Sequence, residues 1–309
     1  MTAAPLAHPP ARLTAALLWP GLLLACVAAT ALGMAHGHGP LAFGISYALL
    51  AVSLWRLERR WPHEAAWLRN DGQMLPDLLH TAVSKAAAYY VVVAGTQQGW
   101  FDALRLWPEL WPTHWPTAAQ VLLGLALAEA GFYWAHRVSH EWAPMWPFHA
   151  VHHSVTRLWF FNTGRFHLVD TLRSTALGLP PLLLAGAPDG VLTWVSAVTA
   201  FIGLLTHCNV QMRTGALDHL FNTPALHRWH HSPVLPEGNT NYGENLVLWD
   251  QLFGTWYRPR DRHPPRDIGI REHMPDSYTG QLAAPFRWRA VQARQAGIAS
   301  QASSTSSTG

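Results

Sequence analysis

Two short stretches carry the chemistry that this sequence offers. FHAVHHS, Phe148–Ser154, and LHRWHHS, Leu226–Ser232, both read HxxHH followed by serine, 78 residues apart. Histidine accounts for 19 of 309 residues, and a random chain of that composition would carry HxxHH roughly 0.07 times, so two copies ask for a physical reason. Protonated imidazoles repel one another when crowded, whereas neutral ones are good donors to borderline transition metals. Metal binding is the chemistry that these residue types and this spacing suggest.

Further histidines extend the constellation. His136 and His140 in HRVSH stand i,i+4, which places both rings on one helical face. His149, His152 and His153 form the first HxxHH; His149 shares a side with both later residues, while His152 and His153 point about 100° apart, as successive helical residues do. Such a triplet suits two neighbouring metals. His207 lies in LLTHCNV, and His227, His230 and His231 repeat the triplet. These nine exceed the three or four protein ligands of one tetrahedral zinc and suit two metals. The nearby carboxylates, Glu129, Glu141, Asp170, Asp218, Glu237, Glu244 and Asp250, do not repeat as the Glu and ExxH sets of carboxylate di-iron bundles. A histidine-rich pair of irons is therefore expected. Taken singly, HxxxH reads equally as an interfacial helix face, one HxxHH as a zinc site or polar loop, and His207 as a helix-end cap. His8, His36, His38, His63, His114, His263 and His273 read as solvated or interfacial, and His80 as a polar residue lining protein or a cavity. His167 and His219 are left open between ligand, support and surface.

The elements that must position these residues are apolar. Half of the residues are hydrophobic and 13% are charged, against about 25% charged in soluble domains. Seventeen tryptophans fit a chain with bilayer interfaces. Cys26 and Cys208 lie in apolar surroundings and suggest no disulfide framework. A net charge of +3, with basic residues scattered, excludes nucleic acid as a partner. Apolar runs cover Leu13–Ala35, Leu41–Trp55, Leu78–Gly95 and Thr117–Ala135, followed by Thr171–Ala187 and Val191–Thr206 about the turn PDG. The first reads as a retained span rather than a cleaved leader, and the last two as a short helical hairpin, marginal for the ~20 residues of a straight span. The expected fold is all-α: a multi-pass bundle of about four full spans plus that hairpin, capped by the histidines. Arg56, Arg59, Arg60 and Arg69 follow the second run, which by the positive-inside rule places that loop in the cytoplasm. Parity then puts both termini and both HxxHH motifs on the cytoplasmic face, in the inner membrane if the chain is bacterial. The expected organisation is 1–116 for N-terminal spans and loops, 117–260 for the histidine-bearing catalytic domain, and 261–309 for a polar extension. Its end, GIASQASSTSSTG, is too small and polar to pack.

From Gly124 to Tyr257 the chain resembles the fatty acid hydroxylase superfamily, and within it the bacterial sterol desaturase-like membrane proteins. The resemblance rests on HRVSH, HAVHHS, FNTGRFHLVD, HCNV, LFNTPALHRWHHS and NTNYGENLVLWDQLFGTWY. It implies a di-iron centre held by His136, His140, His149, His152, His153, His207, His227, His230 and His231. It also implies dioxygen as co-substrate, two electrons from a separate ferredoxin or cytochrome with its reductase, and a membrane lipid, sterol-like or otherwise bulky, as substrate. Leu168 stands where the family usually has proline, and Cys208 where it often has serine. Hydroxylation and desaturation share a first hydrogen abstraction, and no spacing separates them. Asn241, Tyr242, Trp249 and Asp250 are candidates for orienting ligands or shaping an entrance. Three other classes are weighed. A b-type cytochrome places its axial histidines inside spans, a metal transporter places polar ligands mid-membrane, and a zinc hydrolase needs HExxH or its inverse, which this chain lacks.

Overall fold

The computed structural model describes residues 9–295; His8 and the polar tail expected to be disordered lie outside them. The first two helices, α1 (Arg12–Ala35) and α2 (Gly39–Arg60), form a hairpin about Gly37, whose φ of 75° suits glycine. Each buries one stripe at helical spacing: Trp19, Leu23, Cys26 and Thr30 on α1, and Ser46, Leu50, Leu54 and Glu58 on α2. Leu17, Leu24, Leu32, Leu41 and Leu49 point outward and exposed, as a helix surrounded by lipid requires.

A single rod, Met74–Gln97, follows, built from α3 (Met74–His80), a π-helical turn (Thr81–Lys85) and α4 (Ala86–Gln97). Then come α5 (Thr117–Glu141), α6 (Trp146–His153), α7 (Leu168–Gly178), α8 (Pro180–Leu184) and α9 (Asp189–His207). The polar cap is completed by α10 (Pro224–His230), α11 (Leu235–Gly238), α12 (Leu248–Phe253) and α13 (Tyr278–Ala283). Among the described residues the regular structure is helical, apart from two isolated β-bridges, Pro62 with Val210 and Phe221 with Leu246.

The protein is an all-α, multi-pass membrane bundle, but its spans differ from the sequence expectation. Among the described residues five helices, not four, have the length and composition to cross a membrane: α1, α2, the Met74–Gln97 rod, α5 and α9. The expected short hairpin is asymmetric. Its first arm breaks after Gly178, because Pro180 and Pro181 cannot continue the hydrogen-bond ladder of α7. Its second arm is an unbroken helix of 19 residues. The turn between the arms meets the α4–α5 connection, with Trp107 N–H donating to Leu184 O at 3.1 Å and Arg105 paired with Asp189. The broken pair α7–α8 and the straight α9 thus join the same two ends of the bundle.

Buried polar groups lock the cap onto the helices. Glu58 of α2 accepts the backbone N–H of Phe160 at 2.8 Å and of Asn209 at 3.0 Å. Arg165 donates to Asp77 at 2.8 Å, to Gln73 at 3.1 Å and to the Val151 carbonyl at 3.2 Å, which ties α3 to α6. The segment beyond residue 261 is more than a polar extension. Met274, Ala284 and Val291 pack on Ala150 and Val151 of α6, and Gln281 meets His80 of α3 at 3.1 Å.

Candidate metal centre

All nine histidines meet at the cap end of α5, α6, α9 and α10, in two groups. His136, His140, His149, His153 and His230 form one; His152, His207, His227 and His231 form the other. Within each group, one ring nitrogen from every member lies within 4.8 Å of all the others. The HxxHH repeat gains its reason here. From α6, His149 and His153 stand one turn apart in the first group, while His152, rotated away from them, enters the second. From α10 and its C-terminal cap residue, His227 and His231 enter the second group and His230 crosses to the first. Each triplet therefore serves both groups with opposite shares. The groups are neighbours, with the His153 and His231 rings 4.4 Å apart.

The hydrogen bonds decide which nitrogen faces inward. His136 donates from Nδ1 to the Tyr242 carbonyl at 2.7 Å, His230 to the Thr240 carbonyl at 2.8 Å, and His140 to Asn239 Oδ1 at 3.1 Å. His149 donates to Asp170 Oδ2 at 2.8 Å. His207 donates to Asn162 Oδ1 at 3.0 Å, and the amide of Asn162 is held in that sense because its nitrogen donates to Arg157 O. With the proton on Nδ1, Nε2 presents a lone pair. The Nε2 atoms of His136, His140 and His230 are buried with no protein partner. In the second group Nε2 atoms crowd together: His207 to His227 at 2.8 Å, His227 to His231 at 3.1 Å and His231 to His152 at 3.2 Å. Buried, converging lone pairs without donors are costly unless a cation meets them, so the donor set fits metal ions.

Electrostatics keeps five of the rings neutral, as metal ligation requires. Burial first, and then the neighbouring histidines, hold His152, His153, His227 and His231 well below the usual imidazole range; burial and His149 bring His230 to about 3. Burial opposes ionisation of Asp170, yet His149 and Arg173 beside it hold its carboxyl below the usual range.

The remaining candidates fall outside both groups. His167 caps α7: its Nδ1 accepts from Val169 N–H at 3.1 Å and its Nε2 faces the Leu282 carbonyl at 3.2 Å. His219 stacks on Trp256 at the surface. His80 is buried, with its ring nitrogens 3.2 Å from the Phe166 carbonyl and 3.1 Å from Gln281 Oε1. Asp250 accepts the N–H groups of Tyr242 at 2.7 Å and Gly243 at 2.8 Å, and so aims the Tyr242 carbonyl at His136. Asn241, at φ 53°, ties the same loop to Leu226 and Tyr257. Trp249 donates to the Ala126 carbonyl. Sequence reasoning missed Asn162, Asn239 and the Thr240 carbonyl as partners of the inward rings. All three lie in the motifs FNTG and NTNYG, but the only signal there is that asparagine can fix a ring.

An all-α membrane bundle whose apolar helices carry two buried imidazole clusters defines a class, and comparison with known proteins gives it a family. Residues 121–255 match the fatty acid hydroxylase family. The chain is 49% identical to the ornithine lipid hydroxylase OlsE of Rhizobium tropici, over 87% of this chain and 83% of that protein. The chain belongs to the fatty acid hydroxylase family. It is also 33% identical to the alkylglycerol monooxygenase of Homo sapiens over 41% of this chain and 28% of that protein. To the Delta(7)-sterol 5(6)-desaturase of Leptosphaeria maculans it is 28% identical over 48% of this chain and 40% of that protein. No solved structure matches it.

Proposed function

We propose that the protein is a di-iron membrane hydroxylase that uses dioxygen and two electrons to hydroxylate a membrane lipid of the ornithine lipid type. The observation that carries this reading is the pair of imidazole groups, five donors and four, with no carboxylate in either. His136, His140, His149, His153 and His230 would hold one iron, and His152, His207, His227 and His231 the other. When bound, the irons supply the reductive activation of dioxygen and the attack on an unactivated C–H bond. The chain's own residues do the rest. Asp170, Asn162, Asn239 and the carbonyls of Thr240 and Tyr242 keep the Nδ1 protons in place, so that Nε2 stays free. The cap buries both clusters, and the outward leucines of the spans face the lipid from which the substrate would come.

Hydroxylation is favoured over desaturation, and an ornithine lipid over a sterol, because the hydroxylase likeness runs over most of both chains while the sterol desaturase likeness covers about half of this one. The electrons come from a separate ferredoxin or cytochrome with its reductase. The metal centre faces the cytoplasm, in the inner membrane if the host is bacterial. The test supplies purified, iron-loaded protein with a reducing system, oxygen-18 gas and host lipid extract. A lipid gaining one labelled oxygen is expected. Loss of two hydrogens without label would make the protein a desaturase, and unchanged lipids with verified electron delivery would remove the lipid reading.

A further inference from the structure

Of the 21 lysine and arginine residues, lysine occurs once, at Lys85. It ends the π-helical turn Thr81–Lys85 inside the Met74–Gln97 rod, and π-turns within α-helices are frequent at functional sites. The rod changes character at this residue. Before it, Asp77, His80 and Ser84 are bound into the cap through Arg165, Gln281 and the Phe166 carbonyl. After it, Ala86–Gln97 carries no charged residue. Lys85 therefore stands midway along the rod, at the boundary between its cap-bound polar half and its apolar half.

The side chain of Lys85 is exposed, and among the described residues no carboxylate lies within ion-pair distance of it. Its ammonium lies 5.2 Å from the centroid of Phe166, and the same ring stacks on His152 at 4.1 Å and 10°. One aromatic ring thus links an unpaired cation to the second histidine group. A charge where a helix turns apolar is costly unless it is hydrated or meets an opposite charge. A lysine is a compact point charge on a flexible stem, suited to a single oxyanion rather than to a planar fork of bonds.

We infer that Lys85 binds the anionic oxygen group, a carboxylate or a phosphate, of the lipid presented to the metal centre, and thereby sets which carbon of that lipid comes within reach. The inference rests on the lipid hydroxylase reading, and the alternative is a lysine that merely anchors its helix at the interface.

The test uses the full chain in neutral detergent, offered an equimolar mixture of an acidic N-acyl amino-acid lipid, its methyl ester, phosphatidylglycerol and phosphatidylcholine. Native mass spectrometry reads the retained lipid. The wild type should prefer an anionic lipid over its uncharged or zwitterionic counterpart by roughly 10- to 100-fold, the range of a charge-assisted contact. Preference for the acid over its ester assigns a carboxylate; preference for phosphatidylglycerol over phosphatidylcholine assigns a phosphate. Lys85→Met and Lys85→Gln should lose the preference, and Lys85→Arg should keep most of it, all three at wild-type thermal midpoint and iron content. Equal retention of charged and uncharged lipids by the wild type overturns the inference, as does a preference that survives in Lys85→Met or Lys85→Gln. The readout needs no turnover. A Lys85-dependent preference in a protein that oxidises no lipid would uphold anionic-lipid binding at Lys85 while removing the hydroxylase reading and, with it, the role in choosing the carbon.

Discussion

At the scale of single residues, what distinguishes these histidines is which nitrogen is free. Nine rings in a small volume would repel as imidazolium, and burial with mutual repulsion holds His152, His153, His227, His230 and His231 below the usual imidazole range. His152 is the instructive member: it leaves its neighbour His153 to join His207, His227 and His231. His152→Ala should lose half or more of the bound iron, measured by plasma emission on purified protein; full retention with full activity would take His152 out of the ligand set. His219→Ala should leave iron content unchanged, because its ring stacks on Trp256 outside both groups. Neutrality also has a pH signature. A histidine whose folded pKa lies below its unfolded value of about 6.5 stabilises the fold fully above that value. The contribution is lost as pH falls, because the unfolded chain takes up protons first. With His230 at about 3 and four others lowered, the metal-free protein should lose thermal stability steadily between about pH 6.5 and pH 3. A melting temperature flat across that window would show that the rings are not buried neutral.

At the scale of elements, the site depends on how closely α5 and α7 approach. Gly131 of α5 faces the backbone of α7: a Cβ there would stand 1.9 Å from the Leu177 carbonyl oxygen and 2.6 Å from the Gly178 nitrogen. Those atoms are backbone and cannot swing aside. The contact matters because α5 carries His136 and His140, while α7 carries Asp170, which holds His149. Gly131→Val should push the helices apart, destabilise the protein by about 1–3 kcal/mol and loosen the first histidine group more than the second. The checks are a thermal melt and iron content, with His152→Ala as the comparison for the second group. A variant that melts and binds iron like wild type would show that the α5–α7 contact does not position the site.

At the scale of the whole molecule, five span-length helices and one broken pair among the described residues share the task of bringing four chain segments to one end of the bundle. The residue after α4 and the residues of α12 belong to opposite ends, because α5 runs from the first end to the second. Reporter fusions after Gln98 and after Gln251 should therefore signal opposite sides of the membrane, with Gln251 on the side of the histidines. Signals from the same side would contradict the crossing by α5. The arginines at Arg56, Arg59, Arg60 and Arg69 lead us to expect the histidine side to be cytoplasmic.

Much of this was legible in the residues themselves. Type and period marked α1, α5 and α9 as apolar helices, because a span must satisfy its backbone internally and face lipid with its side chains. The nine histidines stood out because HxxHH is rare by chance, and the 100° step between adjacent helical residues already separated His152 from His153. Other features are properties of the packed chain. Pro180 and Pro181 lie inside a run that reads as one continuous arm, and where the broken arm ends is fixed by the contact of Leu184 with Trp107, beside the Arg105–Asp189 pair at the start of α9. His167 and His219 carry the same side chain as the clustered nine; one caps a helix and the other stacks on a tryptophan, because only the tertiary path decides what a ring meets. The partners that fix five of the nine rings, Asp170, Asn162, Asn239 and two backbone carbonyls, lie up to 106 residues away from the histidines they hold. Sequence spacing determines geometry within one helix, where the backbone repeat is fixed; across segments joined by loops, distance is set by packing alone.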